Sequence, residues 1–215
     1  MTREDRMPAP ISKQALQRMP YYLQFLKQLK ENGVENVAAS AIAEHLRLNE
    51  VQVRKDLAAV SSTGGKPKSG FLVEELISSM KEFLGYNNSV DAVLVGVGSL
   101  GRALLSYRGF ESYGLNIVAA FDQSPALVGS KVCGKKILPV EKLGNVCRRM
   151  KIHIGIIAVP TQVAQEVCDG LVAGGVLAIW NFAPIHLSTP GEILVHNENM
   201  AASLALLSKH LQERL

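Results

Sequence analysis

Three glycines in the spacing GxGxxG follow directly on a short apolar run, and they limit the fold more than any other part of the chain. Residues 90–95 read VDAVLV, and Gly96, Gly98 and Gly101 come just before a helical segment that starts at Arg102. In such a strand–turn–helix unit the glycines permit a tight turn, a close approach of the backbone to a pyrophosphate, and tight packing of helix on strand. The helix N-terminus then offers free N–H groups to the phosphates. The pattern predicts a dinucleotide-binding βαβ unit.

A second apolar run, NIVAAFD at residues 116–122, ends in an acid that supports the same interpretation. Asp122 lies 21 residues after Gly101, close to the spacing of about 20 at which a carboxylate binds the adenosine ribose hydroxyls. Because a carboxylate at this place repels a 2′-phosphate, NAD(H) is favoured over NADP(H). A glycine-rich turn without a ligand is the alternative.

The rest of the second half alternates apolar runs with helical patterns, which is typical of a doubly wound parallel sheet. Strands are predicted at residues 153–159, 176–180 and 192–196, with a helix at about 162–173. Ligands bind at the carboxyl ends of such strands, which here are Ala158-Val-Pro160 and Asn181-Phe-Ala-Pro184. A last helix, Met200 to Leu211, carries an apolar stripe that must dock on its own domain or on another subunit.

The first half has a different pattern, with several helices and one polar, glycine-rich interruption. A helix that ends at Gly33 contains Pro20, so a kink or break is expected near Met19. Ser40 is the expected N-cap of a helix at 41–46, and Asn49 that of a helix running to about Val60. Two short helices joined by a tight turn predict a helix-turn-helix. The order of SSTGGKPKSG and Phe71-Leu-Val73 then suggests a β-hairpin wing, followed by a helix at 74–84.

The third of these helices has two distinct faces. Val53, Leu57 and Val60 share one side and are expected to pack inward. The opposite side carries small residues, an amide and cations, which suit a helix in a DNA major groove, although an ordinary solvated helix is the alternative. The segment 47–68 has five basic residues against two acidic ones, which also favours phosphate contacts. The predicted DNA-binding residues are Arg47, Val51, Gln52, Arg54, Lys55, Lys66 and Lys68.

Composition narrows the class of protein further. Hydrophobic residues make up 47% and charged residues 20% of the chain, the balance of a globular protein. Neither a membrane span nor a signal peptide is expected, so we predict a cytoplasmic protein. The three cysteines are expected to be buried or inert thiols, and their spacing gives no support for a metal site.

An enzyme on this fold needs a general acid or base beside the nicotinamide and a place for the substrate. Of the five histidines only His186 is expected near a ligand-side strand end, and no further domain is expected to hold a substrate. A protein that binds NAD(H) without turning it over is therefore favoured. Three alternatives stay open: a small NAD-dependent oxidoreductase, a CoA-binding module, and a DNA-binding regulator that binds another nucleotide.

The ordered set of segments ISKQALQRMPYYLQFL, VQVRKDL, GVGSLGRALLSYRGF, IVAAFD, IGIIAVPTQVAQ and WNFAP resembles the Rex family of transcriptional repressors, over nearly the whole chain. The resemblance implies an N-terminal winged-helix domain at 1–85, a Rossmann domain at 86–197 and a C-terminal dimerisation helix at 198–215, swapped onto the partner. It further implies a homodimer that binds a palindromic operator as double-stranded DNA, that senses the NADH/NAD⁺ ratio, and that leaves DNA when NADH binds.

The resemblance also assigns residues. Tyr107 and Phe182 would lie at the nicotinamide pocket, where the neutral dihydronicotinamide is cheaper to bury beside aromatic groups than the NAD⁺ cation. The complete predicted cofactor-binding set is Gly96, Val97, Gly98, Ser99, Leu100, Gly101, Asp122, Ala158, Val159, Pro160, Tyr107, Asn181 and Phe182.

Two departures from the family pattern concern the switch and the wing. Arg18 resembles an arginine that links the two domains, and with Tyr107 and Asn181 it forms the predicted interdomain switch. Some members carry an acid where this chain has Asn181, and an Arg–Asn hydrogen bond is weaker than an ion pair. The wing VSSTGGKPKSGF keeps positive charge but lacks the usual aromatic and arginine positions, so an altered affinity or operator preference is expected.

Overall fold

The computed structural model describes residues 11–61, 64–65 and 69–214. The chain divides into two units, Met1–Asn87 and Asn88–Leu215, each with its own core.

The described residues of the N-terminal unit form four helices and a two-stranded antiparallel sheet. Its elements, in chain order, are α1 Lys13–Glu31, β1 Asn36–Val37, α2 Ala39–Leu46, α3 Glu50–Val60, β2 Phe71–Leu72 and α4 Val73–Phe83. The predicted pair of helices joined by a tight turn is confirmed, because only Arg47-Leu48-Asn49 separates α2 from α3. Arg47 ends α2 in the left-handed conformation (φ 53°), and the Asn49 side chain accepts a hydrogen bond from the N–H of Gln52.

Helix α1 runs without a break through Pro20, so the break considered near Met19 does not occur. Proline removes one N–H from the helix and crowds the preceding turn, at a cost of about 3 kcal/mol. Burial of the surrounding side chains offsets this cost, because Met19, Tyr22 and Leu23 are fully buried in the core. The helix begins after Ser12, whose hydroxyl accepts from the N–H of Ala15.

The predicted N-cap of α2 was wrong. Ala38 occupies that position and Ser40 lies within the first turn, where it is exposed. Ala39 and Ile42 are buried, so packing of the apolar side sets the start of the helix and outweighs the preference for a hydroxyl cap.

The pairing of the predicted wing differs from a local hairpin. Among the described residues, β2 pairs with β1, a strand that precedes the helix-turn-helix, in the register Val37↔Phe71. Gly70 (φ 71°) lies so close to β1 that an added Cβ would overlap the Val37 carbonyl. A two-residue strand carries no alternation that a sequence pattern could detect, which is why β1 was missed. Lys66 and Lys68 lie outside the described residues.

The C-terminal unit is built around a seven-stranded sheet in the order β5-β6-β4-β3-β7-β8-β9. Its elements are β3 Val90–Val95, α5 Ser99–Ser106, β4 Leu115–Asp122, β5 Lys131–Val132, β6 Lys135–Pro139, α6 Leu143–Met150, β7 Ile154–Ile157, α7 Thr161–Ala173, β8 Ala178–Asn181, β9 Leu194–Asn197 and α8 Met200–Gln212. Only β5 pairs antiparallel; the other pairs are parallel. The chain moves outward from β3 through β4 to β6 and then crosses to β7, so the order reverses between β3 and β7.

The two faces of this sheet are covered differently. Leu143 and Cys147 of α6 and Leu171 of α7 pack on one face, together with Val93 and Val95. Leu105 of α5 and a group of aromatic side chains pack on the other face. Helix α8 has no buried residue, and its large apolar side chains are each more than half exposed: Met200, Leu204, Leu206, Leu207 and Leu211.

No helix in the described part of the chain is both long and apolar enough to span a membrane. The same residues contain no group of three or more His, Cys, Asp or Glu side chains arranged to hold a metal ion.

The three cysteines differ in their exposure, and two of them are buried, as expected. Cys147 and Cys168 are buried, and burial raises the pKa of the Cys147 thiol to about 11 and that of Cys168 above its usual value. Cys133 is exposed in the turn between β5 and β6.

We therefore expect a disulfide reagent at pH 8 to modify one thiol per native chain rapidly, and all three only after denaturation, because the thiolate is the reactive form. Absorbance of the released aromatic thiol measures the count. A Cys133→Ser variant serves as control and should lose the fast phase. Two or more fast-reacting thiols in the native protein would contradict this assignment.

Candidate functional site

The glycine turn after β3 is held by close backbone contacts. Gly96 has φ 97°, and a Cβ added there would lie 2.5 Å from the carbonyl oxygen of Ala158, at the end of β7. A Cβ on Gly101 would overlap the carbonyl oxygen of Gly96. Both positions therefore require glycine to bring β3, α5 and β7 together, as the GxGxxG spacing predicts.

Gly98 differs from its neighbours because it faces open space. A Cβ added there meets no atom of the described residues within 4 Å, and none of their side chains caps the start of α5. Ser99 and Leu100, the first residues of the helix, are exposed, whereas Val97 and Gly101 are buried. An uncapped and open helix N-terminus is a suitable place for an anion.

Asp122 is fixed at the end of β4 by two backbone donors. Its Oδ2 accepts from the N–H of Val97 at 2.7 Å, and its Oδ1 accepts from the N–H of Ser124 at 2.8 Å. These bonds tie the carboxylate to the glycine turn, so its distance from α5 is set by the backbone. Each carboxylate oxygen keeps further acceptor capacity for a hydroxyl donor.

A cavity of about 640 Å³ opens at the carboxyl ends of β3, β4 and β7. Six of the predicted cofactor residues line it: Gly96, Gly98, Asp122, Ala158, Val159 and Pro160. The opposite wall comes from α6 and α7, and includes Leu143, Gly144, Arg148, Val163 and Glu166. This wall was not predicted because α6 was not recognised from the sequence, although Leu143, Cys147 and Met150 follow helical spacing. The volume suits a nucleotide-sized ligand.

Tyr107 and Phe182 belong to a row of four aromatic rings on the face of the sheet that α5 covers. Tyr107 meets Phe110 edge-on at 4.8 Å between ring centroids, Phe110 meets Trp180 at 5.6 Å, and Trp180 meets Phe182 at 4.9 Å. Tyr107 is 52% exposed, so the row begins at the surface. Phe110 and Trp180, which link the two predicted residues, were missed, although Phe110 follows Tyr107 at one helical turn.

Asn181 is fully buried and its amide is used within the C-terminal unit. Its Nδ2 shares two N–H donors among three acceptors, the carbonyls of Ala183 and Ile185 and the side-chain oxygen of Asn197. Its Oδ1 accepts from the N–H of Ala183. These bonds hold the loop after β8. The part of Asn181 in an interdomain switch stays a prediction.

The side chains of α3 are buried on one face and exposed on the opposite face, as their helical spacing predicts. Val53 and Leu57 are fully buried, and Val51 is 61% exposed. Gln52, Arg54 and Lys55 are exposed, as is Arg47 in the turn before the helix. Arg54 pairs with Glu50 one turn earlier on the same helix.

Beneath this face lies a buried carboxylate that the sequence analysis did not identify. Asp56 is 4% exposed, and its Oδ2 accepts from Arg18 Nη2 at 2.7 Å and from the Tyr22 hydroxyl at 2.8 Å. Arg18 Nε also donates to Oδ2 at 2.8 Å, and Gln52 Nε2 donates to Oδ1 at 2.9 Å. Asp56 thus joins α1 to α3, and Arg18 finds its ionic partner within the N-terminal unit.

The environment shifts two pKa values in this cluster. Burial, and then the hydrogen bond to Asp56, raise the pKa of Tyr22 to about 12. Partial burial disfavours the charged guanidinium of Arg18, but the hydrogen bonds with Asp56 and Tyr22 raise its pKa on balance. Because both pKa values are raised, Tyr22 and Arg18 stay protonated and can donate to the carboxylate of Asp56.

These features define a class: a helix-turn-helix unit with a small antiparallel sheet, followed by a doubly wound unit with a dinucleotide-type glycine turn. Residues 10–58 match the family model described as "Putative DNA-binding protein N-terminus", and residues 87–185 match the model described as "CoA binding domain".

Curated relatives and solved structures agree on a narrower group. The redox-sensing transcriptional repressor Rex of Bacteroides fragilis is 38% identical over 206 residues, which cover 96% of this chain and 91% of the relative. Rex of Treponema denticola is 36% identical over 204 residues, 95% of each chain. The chain therefore belongs to the Rex family of redox-sensing transcriptional repressors, and its fold is α/β with a winged-helix domain and a Rossmann domain.

Two crystal structures of RSP, a Rex-family repressor, are similar along nearly the whole chain. The complex of RSP with β-NAD⁺ and operator DNA has a TM-score of 0.87 at 33% identity and covers 96% of this chain and 94% of RSP. The complex with β-NADH has a TM-score of 0.83 at 33% identity and covers 96% of each chain.

We expect Tyr22→Phe to lower the free energy of unfolding by about 1.5–3 kcal/mol, because the buried carboxylate of Asp56 loses a hydrogen bond. Urea denaturation at pH 7 measures the loss, and Tyr21→Phe, at an exposed neighbouring tyrosine, is the matched control.

The difference in the free energy of unfolding between wild type and Tyr22→Phe should become smaller as the pH rises from about 10 to about 12. A tyrosine whose pKa is raised on folding stabilises the folded state below pH 10, and that contribution is lost as the pH rises through the folded pKa. A difference that is constant across this range would contradict the assigned shift.

Proposed function

We propose that this protein is a DNA-binding transcriptional repressor that senses the NADH/NAD⁺ ratio and releases a palindromic operator when NADH binds. The proposal is carried by the presence, in one chain, of an open glycine-turn cleft with a fixed Asp122 and a helix-turn-helix with a polar outer face. Its relatives are named redox-sensing repressors, and RSP was solved with operator DNA. A repressor acts on the chromosome, so we place the protein in the cytoplasm.

In this proposal the cleft holds the dinucleotide with its pyrophosphate at the start of α5. Gly98 leaves room for the phosphates, and the N–H groups of Ser99 and Leu100 lie in the first turn of the helix, where anions bind. Asp122 accepts the hydroxyls of the adenosine ribose, and its charge disfavours a 2′-phosphate. Ala158, Val159 and Pro160 supply the wall at the end of β7.

We assign the nicotinamide to the aromatic row near Tyr107 and Phe182. Burial of a cationic ring without a counter-ion is costly, whereas the neutral reduced ring packs beside aromatic groups at little cost. NADH is therefore favoured over NAD⁺ wherever closure buries the ring. The ligand shifts the protein between states only by its differential affinity for them.

The DNA surface in this proposal is the outer face of α3 with the residues around it. Gln52 contacts a base edge, and Arg47, Arg54 and Lys55 contact phosphates or guanine. Val51, exposed on the same face, is suited to a thymine methyl group. Lys66 and Lys68 add positive charge in the wing segment.

We propose a homodimer in which α8 docks on the partner subunit. Every residue of α8 is exposed within its own chain, and four leucines lie among them. Such a helix gains its stability from packing of the apolar side on another surface. Two-fold symmetry of the dimer matches the symmetry of a palindromic operator.

The cofactor is a ligand in this proposal and is not turned over. His186 is exposed in the loop after β8, and His196, next to the carboxyl end of β9, is exposed and lies 3.3 Å from Glu198. The regulated event is the release of DNA, so the switch requires only that NADH binds and not that it reacts.

The experiment measures binding of the full-length protein to a fluorescent palindromic duplex, selected by the protein from a randomised pool, at fixed salt. We expect NADH to release the duplex at concentrations at which NAD⁺ has little effect. Release by CoA instead would favour a CoA-responsive module, consistent with the match of residues 87–185. Failure to bind any duplex at low salt would favour the oxidoreductase alternative.

The glycines offer a matched pair of variants for the cleft. We expect Gly98→Ala to weaken NADH binding about tenfold or more, because its methyl group fills space that the pyrophosphate needs. Its free energy of unfolding should differ from that of the wild type by no more than about 1 kcal/mol. Gly101→Ala should destabilise the domain by about 1–3 kcal/mol or more, since its Cβ overlaps the Gly96 carbonyl. Titration calorimetry measures the affinity for NADH, and thermal unfolding measures the stability. Unchanged NADH affinity in Gly98→Ala would contradict the position of the pyrophosphate.

A further inference from the structure

The hydrogen bonds around Asp56 distinguish its two carboxylate oxygens. Oδ2 is occupied by Arg18 and Tyr22 of α1, whereas Oδ1 accepts from Nε2 of Gln52, one turn earlier on α3. Asp56 itself is buried, but Gln52 is exposed. A fixed acceptor under the helix is therefore connected to a side chain that lies on its outer face.

A carboxylate only accepts hydrogen bonds, so it determines which way the amide of Gln52 is turned. Nε2 must point toward Asp56, and Oε1 must point away from it. The position of Oδ1 is itself fixed, because Arg18 and Tyr22 hold the other oxygen of the same group. The Gln52 amide is thereby oriented before it meets any ligand.

After this bond is made, Gln52 keeps one N–H donor on Nε2 and the acceptor Oε1. That pair is complementary to the major-groove edge of adenine, which presents the N7 acceptor beside the N6 donor. The opposite orientation of the amide would place its donor and acceptor in the reverse order along the groove. An amide that is free to turn loses this distinction and also loses side-chain entropy on binding.

We propose that Asp56 is a positioning residue for base readout: it orients the Gln52 amide, so that Gln52 selects adenine at one position of each operator half-site. The inference rests on the proposed function, because it requires that the outer face of α3 enters a DNA groove. It adds a specificity determinant that does not itself touch DNA.

The test uses the full-length protein and a duplex that the wild type has selected from a randomised pool. Every base pair of one half-site is replaced in turn by the other three, and dissociation constants are measured by fluorescence anisotropy at fixed salt. Three variants are compared with wild type: Asp56→Asn, Gln52→Met, which keeps the side-chain length but lacks the amide, and Tyr22→Phe.

We expect Asp56→Asn and Gln52→Met to lose about tenfold of the adenine preference at the same base pair, since an asparagine in place of Asp56 no longer dictates the direction of the amide. Tyr22→Phe removes a donor from Oδ2 but leaves the bond between Oδ1 and Gln52 intact. It should therefore keep the preference even though it lowers stability. An Asp56→Asn variant that binds all duplexes more weakly by one common factor would overturn the proposal.

If Asp56→Asn does not fold, the side-chain amide of Gln52 in the wild-type protein decides the matter. Its NMR signal is assigned by its disappearance in Gln52→Met. In the absence of DNA its order parameter should be close to that of a rigid backbone amide. An averaged signal, like that of a free surface glutamine, would overturn the proposal. A wild-type protein that selects no sequence would instead refute the proposed function, and the inference with it.

Discussion

The cleft depends on a contact between backbone groups that leaves no space for a side chain. Gly96 lies against the carbonyl of Ala158 and Gly101 against the carbonyl of Gly96, so β3, α5 and β7 approach one another as closely as their main chains allow. The Val97 N–H then bonds Asp122 and draws the end of β4 to the same turn. Three strand ends and one helix N-terminus are thereby placed with little freedom. A cavity formed in this way is present before any ligand binds, which lowers the ordering cost of binding.

The parts of the fold that the sequence predicts well are those in which local pattern and packing agree. The strand–turn–helix around Gly96, the cap at Asn49 and the inward side of α3 all carry signals within a few residues of chain. The wrong or missing assignments depend on partners that are distant in sequence. Ser40 has the preferred side chain for a cap, but burial of Ala39 and Ile42 sets the helix start. Strand β1 is defined by its pairing with Phe71 and Leu72, which lie beyond two helices.

The residues of the candidate site also separate into those that the sequence predicts and those that it does not. Gly96, Gly98, Asp122 and the residues at the end of β7 were predicted, because their spacing follows from the geometry of a parallel sheet. The wall from α6 and α7 was not predicted, since it depends on how those helices pack across the sheet. Asp56 was counted as one acid in a basic segment, and nothing in its neighbours indicates that Arg18, 38 residues away, meets it. A buried ion pair is weak evidence for stability, but it does hold α1 and α3 in one register.

In the proposed homodimer, helix α8 makes assembly part of folding. In that dimer the partner covers the four leucines that one chain leaves exposed, and the fraction of chains covered in this way depends on how many partners are present. The stability of such a protein is therefore a function of its own concentration. In a growing cell the first copies made would meet few partners, so the level of the protein itself sets the fraction of chains that are assembled.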